Sequence, residues 1–120
     1  MTGADFERLE KRTVLLPVGA VERHGDHLPL GTDGFLPEYI ARKAAEMLGC
    51  PVMPTLWYGS CKAMKPFPGT FDLDSDCLYK FVRSRITEVN RNGFRLLCIV
   101  NGHGGNTTPL SMAARDISSR

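Results

Sequence analysis

Three short apolar runs constrain this fold more than any other feature. Residues 13–19 (TVLLPVG), 51–58 (PVMPTLWY) and 94–100 (FRLLCIV) each have the length of one strand. Each is followed by a polar or glycine-rich loop and then by apolar residues at helical spacing. After the first run, Leu36, Ile40, Ala44, Met47 and Leu48 recur on one helical face, with Gly49 placed to end the helix. After the second, Asp74 is a ready N-cap for a helix whose apolar face is Leu78, Phe81, Val82, Ile86 and Val89, and Gly93 is its stop. After the third, Thr107 or Thr108 can cap a helix with Pro109 at its first position. This alternation predicts an α/β fold, a parallel sheet with helices on both faces. Pro17 casts doubt on ladder pairing near the end of the first strand, and Pro54 breaks the second, which reads as the weaker. Residues 5–12 read as a short amphipathic helix with Phe6 and Leu9 on one side.

The chain has 120 residues, the length of one domain, and its 42% hydrophobic and 23% charged residues fit a globular protein. Three strands make a thin parallel sheet. Residues 1–120 therefore read as a single α/β domain that is incomplete toward its C-terminus. The 15 basic and 13 acidic residues are dispersed, with no Lys/Arg block, which argues against a nucleic-acid partner. No apolar segment approaches the ~18–20 residues needed to cross a membrane, and the charged N-terminus lacks a signal region. Cys50, Cys61, Cys77 and Cys98 form no CxxC pair. Read as reduced thiols, they indicate a cytoplasmic protein.

Two polar clusters could carry chemistry. Residues 18–33 (VGAVERHGDHLPLGTD) bring Glu22, His24, His27 and Asp33 directly after the first strand, and residues 101–106 (NGHGGN) bring His103 after the third. In open α/β sheets ligands bind beyond the carboxyl ends of the strands, so Glu22, His24, Asp33 and His103 fall on one rim. Two carboxylates and two imidazoles suit a divalent metal such as Zn, Mn or Fe. Each residue also has a plainer explanation. Glu22 can be a solvated loop carboxylate, His24 a histidine bonded to backbone, and Asp33 an N-cap. Pro37 counts against that cap, because it would stand where an N–H should bond back to Asp33, so Asp33 is expected in the loop. His27 is expected to support the ligands rather than join them. The glycines of NGHGGN can serve a tight turn through positive φ, which gives no reason for His103. They also let the N–H groups of Gly104 and Gly105 approach an oxyanion. A phosphate cradle ranks last, since the pattern is neither GxxxxGK[ST] nor GxGxxG after the first strand. Met64, Trp57, Tyr58 and Phe67 read as packing, with Tyr58 and residues 59–70 on the same rim.

Glu22-Arg23-His24-Gly25-Asp26-His27-Leu28-Pro29-Leu30 followed by Thr32-Asp33 resembles the motif E-x-H-G-x-H-L-P-x-x-T-D of the creatininase (creatinine amidohydrolase) family. Phe67-Pro68-Gly69-Thr70 and the NGHGGN segment resemble two further segments of that family, in the same order. The resemblance implies an α/β/α sandwich and a hydrolase of C–N bonds in amides, formamides or cyclic amides, acting through a metal-bound hydroxide at a two-metal site. It implies that Glu22 and His103 bind one metal, His24 the other, and that Asp33 bridges them. It implies a small-molecule amide substrate, for which the Gly104 and Gly105 N–H groups read above would assist the oxyanion. It also implies a homo-oligomer, because the family forms closed assemblies. Two departures stand out. Met64 replaces a histidine usual upstream of F-P-G-T. Gly104 and Gly105 stand where creatinine-acting members carry an aromatic residue and a Glu, which argues against creatinine itself. The alternative is a truncated or degenerate member that binds metal or partners without catalysis.

Overall fold

The computed structural model describes residues 1–118. Helix α1 (Gly3–Glu7), strand β1 (Thr13–Val18), helices α2 (Thr32–Leu48) and α3 (Ser75–Arg91), strand β2 (Leu96–Asn101) and helix α4 (Thr107–Ser118) follow in that order. β1 and β2 pair in parallel, from Thr13 opposite Leu96 to Val18 opposite Asn101. The segment expected as a second strand lies along the other side of β1 but meets it only at two isolated bridges, Leu15 with Val52 and Val18 with Leu56. Three steps along β1 thus answer four along the segment, a slip of one residue. The prolines account for it. Leu15 N–H donates to the Pro51 carbonyl at 3.1 Å and Gly19 N–H to Leu56 at 2.8 Å, but Pro17 between them has no proton to give. A continuous ladder cannot form there.

Side chains of β1 alternate between two faces. Leu16 and Val18 pack with Leu78 and Val82 of α3 and with Leu110 and Ala113 of α4, while Leu15 packs with Ala41 and Ala45 of α2. The sheet is therefore covered on both faces, the α/β arrangement expected for parallel strands. A smaller cluster of Val14, Val89 and Phe94 is closed by Phe6 and Leu9, so the N-terminal segment packs as expected although its helix is shorter.

α2 buries a different face from the one its large residues suggested. Gly34, Pro37, Ala41 and Ala45 are its buried residues, whereas Leu36, Ile40, Met47 and Leu48 are 57%, 48%, 88% and 66% exposed. Close approach decides this. A Cβ at Gly34 would lie 2.3 Å from the Trp57 ring, and one at Gly102 would lie 2.3 Å from the Asp33 carbonyl and 2.5 Å from the Pro37 ring. Only small or flat residues fit between helix and sheet. α3 follows its pattern better: Asp74 caps it by accepting from Asp76 N–H at 2.8 Å, and Leu78, Val82 and Val89 are buried. Phe81 departs from that pattern; it is exposed, with the Arg85 guanidinium over its ring. Gly49 and Gly93 end α2 and α3 with φ of +64° and +94°. Thr107 and Thr108 lie inside α4 rather than capping it, because a 3-10 turn, Gly104–Asn106, runs straight into the helix. Pro109 is accordingly the third helical residue, not the first. Among the described residues no helix is long and apolar enough to cross a membrane.

Candidate metal centre

The loop after β1 is held in place before any functional side chain is considered. A Cβ at Gly19 would lie 2.5 Å from the Asp33 carbonyl, so the chain leaves β1 directly against the first turn of α2. Glu22 N–H donates to the Leu30 carbonyl at 2.9 Å, closing the loop on itself. The F-P-G-T segment pins it from outside: Phe71 N–H donates to Val21 at 2.9 Å and Arg23 N–H to the Thr70 hydroxyl at 3.1 Å.

Asp33 stands in the first turn of α2, not in the loop, and Gly31 occupies the cap position. Asp33 is not the cap, as expected, but the reason differs: the helix begins earlier, at Thr32, and Pro37 sits within it instead of starting it. Lacking an N–H, it leaves the Asp33 carbonyl without an intrahelical donor, at the point where that carbonyl packs against Gly19 and Gly102. The Asp33 side chain itself turns toward the rim.

There it joins the two clusters. Asp33 Oδ1 lies 3.0 Å from His24 Nε2, and Asp33 Oδ2 lies 2.8 Å from His103 Nδ1. Each ring turns its other nitrogen to a backbone carbonyl, His24 Nδ1 to Glu22 at 2.9 Å and His103 Nε2 to Ser60 at 2.8 Å. A Glu22 carboxylate oxygen stands 3.5 Å from His103 Nε2. Donor atoms of Glu22, His24 and Asp33 lie within 4.8 Å of one another, a spacing that one metal ion can bridge. The four side chains are largely buried, between 12% and 21% exposed.

The electrostatics of this network are one-sided. Both nitrogens of each imidazole face acceptors, and a neutral imidazole has only one proton to donate. With Nδ1–H of His24 and Nε2–H of His103 given to the carbonyls, two ring lone pairs point at the Asp33 carboxylate. Each of those gaps needs a positive charge, either a proton or a cation. The Glu22 carbonyl, and after it the Asp33 carboxylate, accordingly hold the His24 imidazolium above its ordinary pKa, against the opposing effect of burial. Nitrogen and oxygen donors arranged around a missing positive charge fit a divalent metal.

His27 is exposed, in the turn after Gly25 (φ +68°), and among the described residues its ring makes no hydrogen bond to the other four. Gly104 and Gly105 open the 3-10 turn, so their N–H groups precede any acceptor of that turn. The positive φ expected for the NGHGGN glycines is not found at Gly102, Gly104 or Gly105. Gly102 and Gly105 serve close approach instead: a Cβ at Gly105 would lie 2.0 Å from the Ser60 carbonyl. Trp57 packs edge-on against Phe35 with centroids 5.0 Å apart, as a packing residue should, while Tyr58 and Phe67 are exposed on the rim. Two participants went unread in the sequence. The Ser60 carbonyl has no residue signature, and Asn106, wholly buried, was visible only as the last letter of NGHGGN.

The sequence pattern of the creatinine amidohydrolase family matches residues 1–120. The creatinine amidohydrolase of Pseudomonas putida is 40% identical over 99 residues, covering 78% of this chain and 38% of that protein. The mycofactocin precursor peptide peptidase of Mycolicibacterium smegmatis is 35% identical over 106 residues, covering 83% and 42%. A solved creatininase named as a manganese form superposes with a TM-score of 0.89 at 33% identity, over 99% of this chain and 51% of that one. Another, of Zn-Zn type, gives 0.89 at 34% identity over the same shares. The chain thus spans about half, or somewhat less, of the length of these relatives. It belongs to the creatinine amidohydrolase family.

Proposed function

We propose that the protein is a metal-dependent amidohydrolase in which Glu22, His24, Asp33 and His103 hold two divalent cations, with Asp33 shared between them. One observation carries this reading: the two oxygens of Asp33 address two different imidazoles, at 3.0 and 2.8 Å. A carboxylate so placed can serve two cations at once. Such cations, when bound, polarise an amide carbonyl and lower the pKa of water to near neutrality. The chain's own residues do the rest. Glu22 and Asp33 supply the negative charge that retains the cations, and the carbonyls of Glu22 and Ser60 fix the ring orientations. The N–H groups of Gly104 and Gly105 are assigned to the developing oxyanion. His27, exposed in the same loop, is assigned support of the ligand residues rather than ligation.

The substrate class is a small molecule with an amide, formamide or cyclic amide C–N bond. The Ser60 carbonyl fills the space of any side chain at residue 105, which supports a substrate other than creatinine. The exposed Leu36, Ile40 and Met47 support association into a homo-oligomer, and light scattering of the purified chain tests it.

Elemental analysis of the metal-supplied protein, paired with hydrolysis assays on formamides and cyclic amides, tests the central reading. Wild type should carry metal and turn over, and Asp33→Ala should lose both. A folded, metal-supplied sample with no bound metal would sink it. Metal binding without turnover is a second reading, favoured by Met64 standing where a histidine is usual upstream of F-P-G-T. Stoichiometric metal with no hydrolysis of any such amide would select it.

A further inference from the structure

Asn106 is polar, wholly buried, and hydrogen-bonded at or just beyond the ends of β1, the 51–58 segment and β2. Its Oδ1 accepts from Ser60 N–H at 2.8 Å, and its Nδ2 donates to the Gly19 carbonyl at 2.9 Å and to Asn101 Oδ1 at 3.3 Å. Gly19 follows β1, Ser60 follows the second run, and Asn101 ends β2. One amide therefore sets the spacing of the three strand ends that form the rim. Burying an amide costs free energy unless its atoms are bonded, and here every bond goes to a segment leading into the site.

The bond to Ser60 matters most. The same residue that gives its N–H to Asn106 gives its carbonyl to His103 Nε2 at 2.8 Å. Two glycines clear the path. A Cβ at Gly59 would lie 2.4 Å from Asn106 Oδ1, and a Cβ at Gly105 would lie 2.0 Å from the Ser60 carbonyl and 2.7 Å from His103 Nε2. Neither glycine has a positive φ. Turn geometry therefore does not require them, and close approach does.

We propose that Asn106 is a positioning residue of the metal centre. By holding Ser60 it fixes the carbonyl that receives His103 Nε2–H, and so leaves His103 Nδ1 as the nitrogen turned toward Asp33. The proposal rests on the metal-site reading above. A hydrogen-bond partner on the outer nitrogen of a ligating histidine fixes its tautomer and orientation, and losing it typically weakens metal binding about 10–100-fold.

The test uses two variants that break the relay at different points. Asn106→Ala releases Ser60, and Gly59→Ala drives a methyl group against Asn106 Oδ1, the atom that holds Ser60 N–H, rather than against His103. Zinc affinity is measured by competition with a chelating indicator, well below the melting temperature of each variant. Both should bind zinc about 10–100-fold more weakly than wild type. Zinc binding within twofold of wild type in either folded variant, with only the melting temperature lowered, would overturn the proposal. If Asn106→Ala does not fold, Gly59→Ala decides alone. If wild type itself takes up no zinc, the metal reading fails separately. The ring nitrogen NMR signals of His103, assigned with His103→Gln in the metal-free chain, then decide. They should move in both variants, and unmoved signals overturn the relay.

Discussion

β1 and β2 are equal in length and pair residue for residue, yet they support the site very differently. Every residue of β1 after Thr13 is buried, whereas Leu96, Cys98 and Asn101 of β2 are exposed. β1 has helices on both faces and a bonded segment on each side; β2 has β1 alone beside it among the described residues. Glu22, His24 and Asp33 thus follow a strand whose position is fixed by packing. His103 follows an edge, and it is held by hydrogen bonds to Asp33 and Ser60 instead. The lesson is that both halves of the candidate site are tied by hydrogen bonds, but only the β1 half starts from a strand buried on both faces.

Core truncation should break the symmetry of the two strands most strongly. Leu16→Ala removes a buried side chain that touches α3 and α4, and should cost about 2–5 kcal/mol in urea denaturation. Leu96→Ala, at a residue 56% exposed, should cost less than about 1 kcal/mol. Equal losses would mean that the β2 edge is covered in solution.

Glycine substitutions act next, on the approach of α2 to the rim. At Gly19 an added Cβ meets backbone atoms of Asp33 and Gly34 at 2.5 Å, and backbone cannot rotate aside; at Gly104 nothing lies within 4 Å. Gly19→Ala should cost about 1–3 kcal/mol and weaken zinc binding by moving Asp33. Gly104→Ala should do neither, as melting curves and an indicator titration would show.

How much of this was legible in advance depends on what kind of fact it is. The strand–loop–helix order was readable because burial is a property of residue type, and the four ligand candidates could be named, as candidates, because donor chemistry is too. Leu15, Leu16 and Val18 could only be core, and His103 had no structural excuse among glycines. The buried face of α2 was not readable, because periodicity shows which residues are apolar and not how close a helix must come. That closeness selected Gly34, Pro37, Ala41 and Ala45 over Leu36, Ile40 and Met47. The second run keeps only two bridges to β1, and its weakness was readable, since Pro17 and Pro54 each lack the proton a ladder needs. The Ser60 carbonyl was beyond reach altogether, since every residue has one.

Acid should expose the charge imbalance of the β1 half. The His24 pKa is raised, by the Glu22 carbonyl first and the Asp33 carboxylate next, from an ordinary 6.5. In the metal-free chain this group adds stability that is fully present below pH 6.5 and is lost as the pH rises through the raised value. Metal requires the deprotonated ring, so zinc affinity should change in the opposite direction, falling as the pH drops through that value. Melting temperatures followed between about pH 5.5 and 8.5, with and without zinc, should therefore show opposite slopes. Parallel slopes would mean that His24 is not a ligand.

The smallest perturbation reads the two halves without altering either. Cys61 lies under the F-P-G-T closure, buried, its thiol near the carbonyls of Gly59 and Val21. Burial, with Asp72 and Glu22 adding to it, pushes that thiol up to about 11. Cys98 is exposed on the β2 edge. Since the thiolate is the reacting species, iodoacetamide near neutral pH should label Cys98 in the native chain and leave Cys61 intact until denaturant is added. Peptide mapping by mass spectrometry would give both rates in one experiment. If Cys61 reacts as fast as Cys98, the packing between the β1 loop and residues 59–61 opens in the native state, and the β1 half is no better closed than the β2 edge.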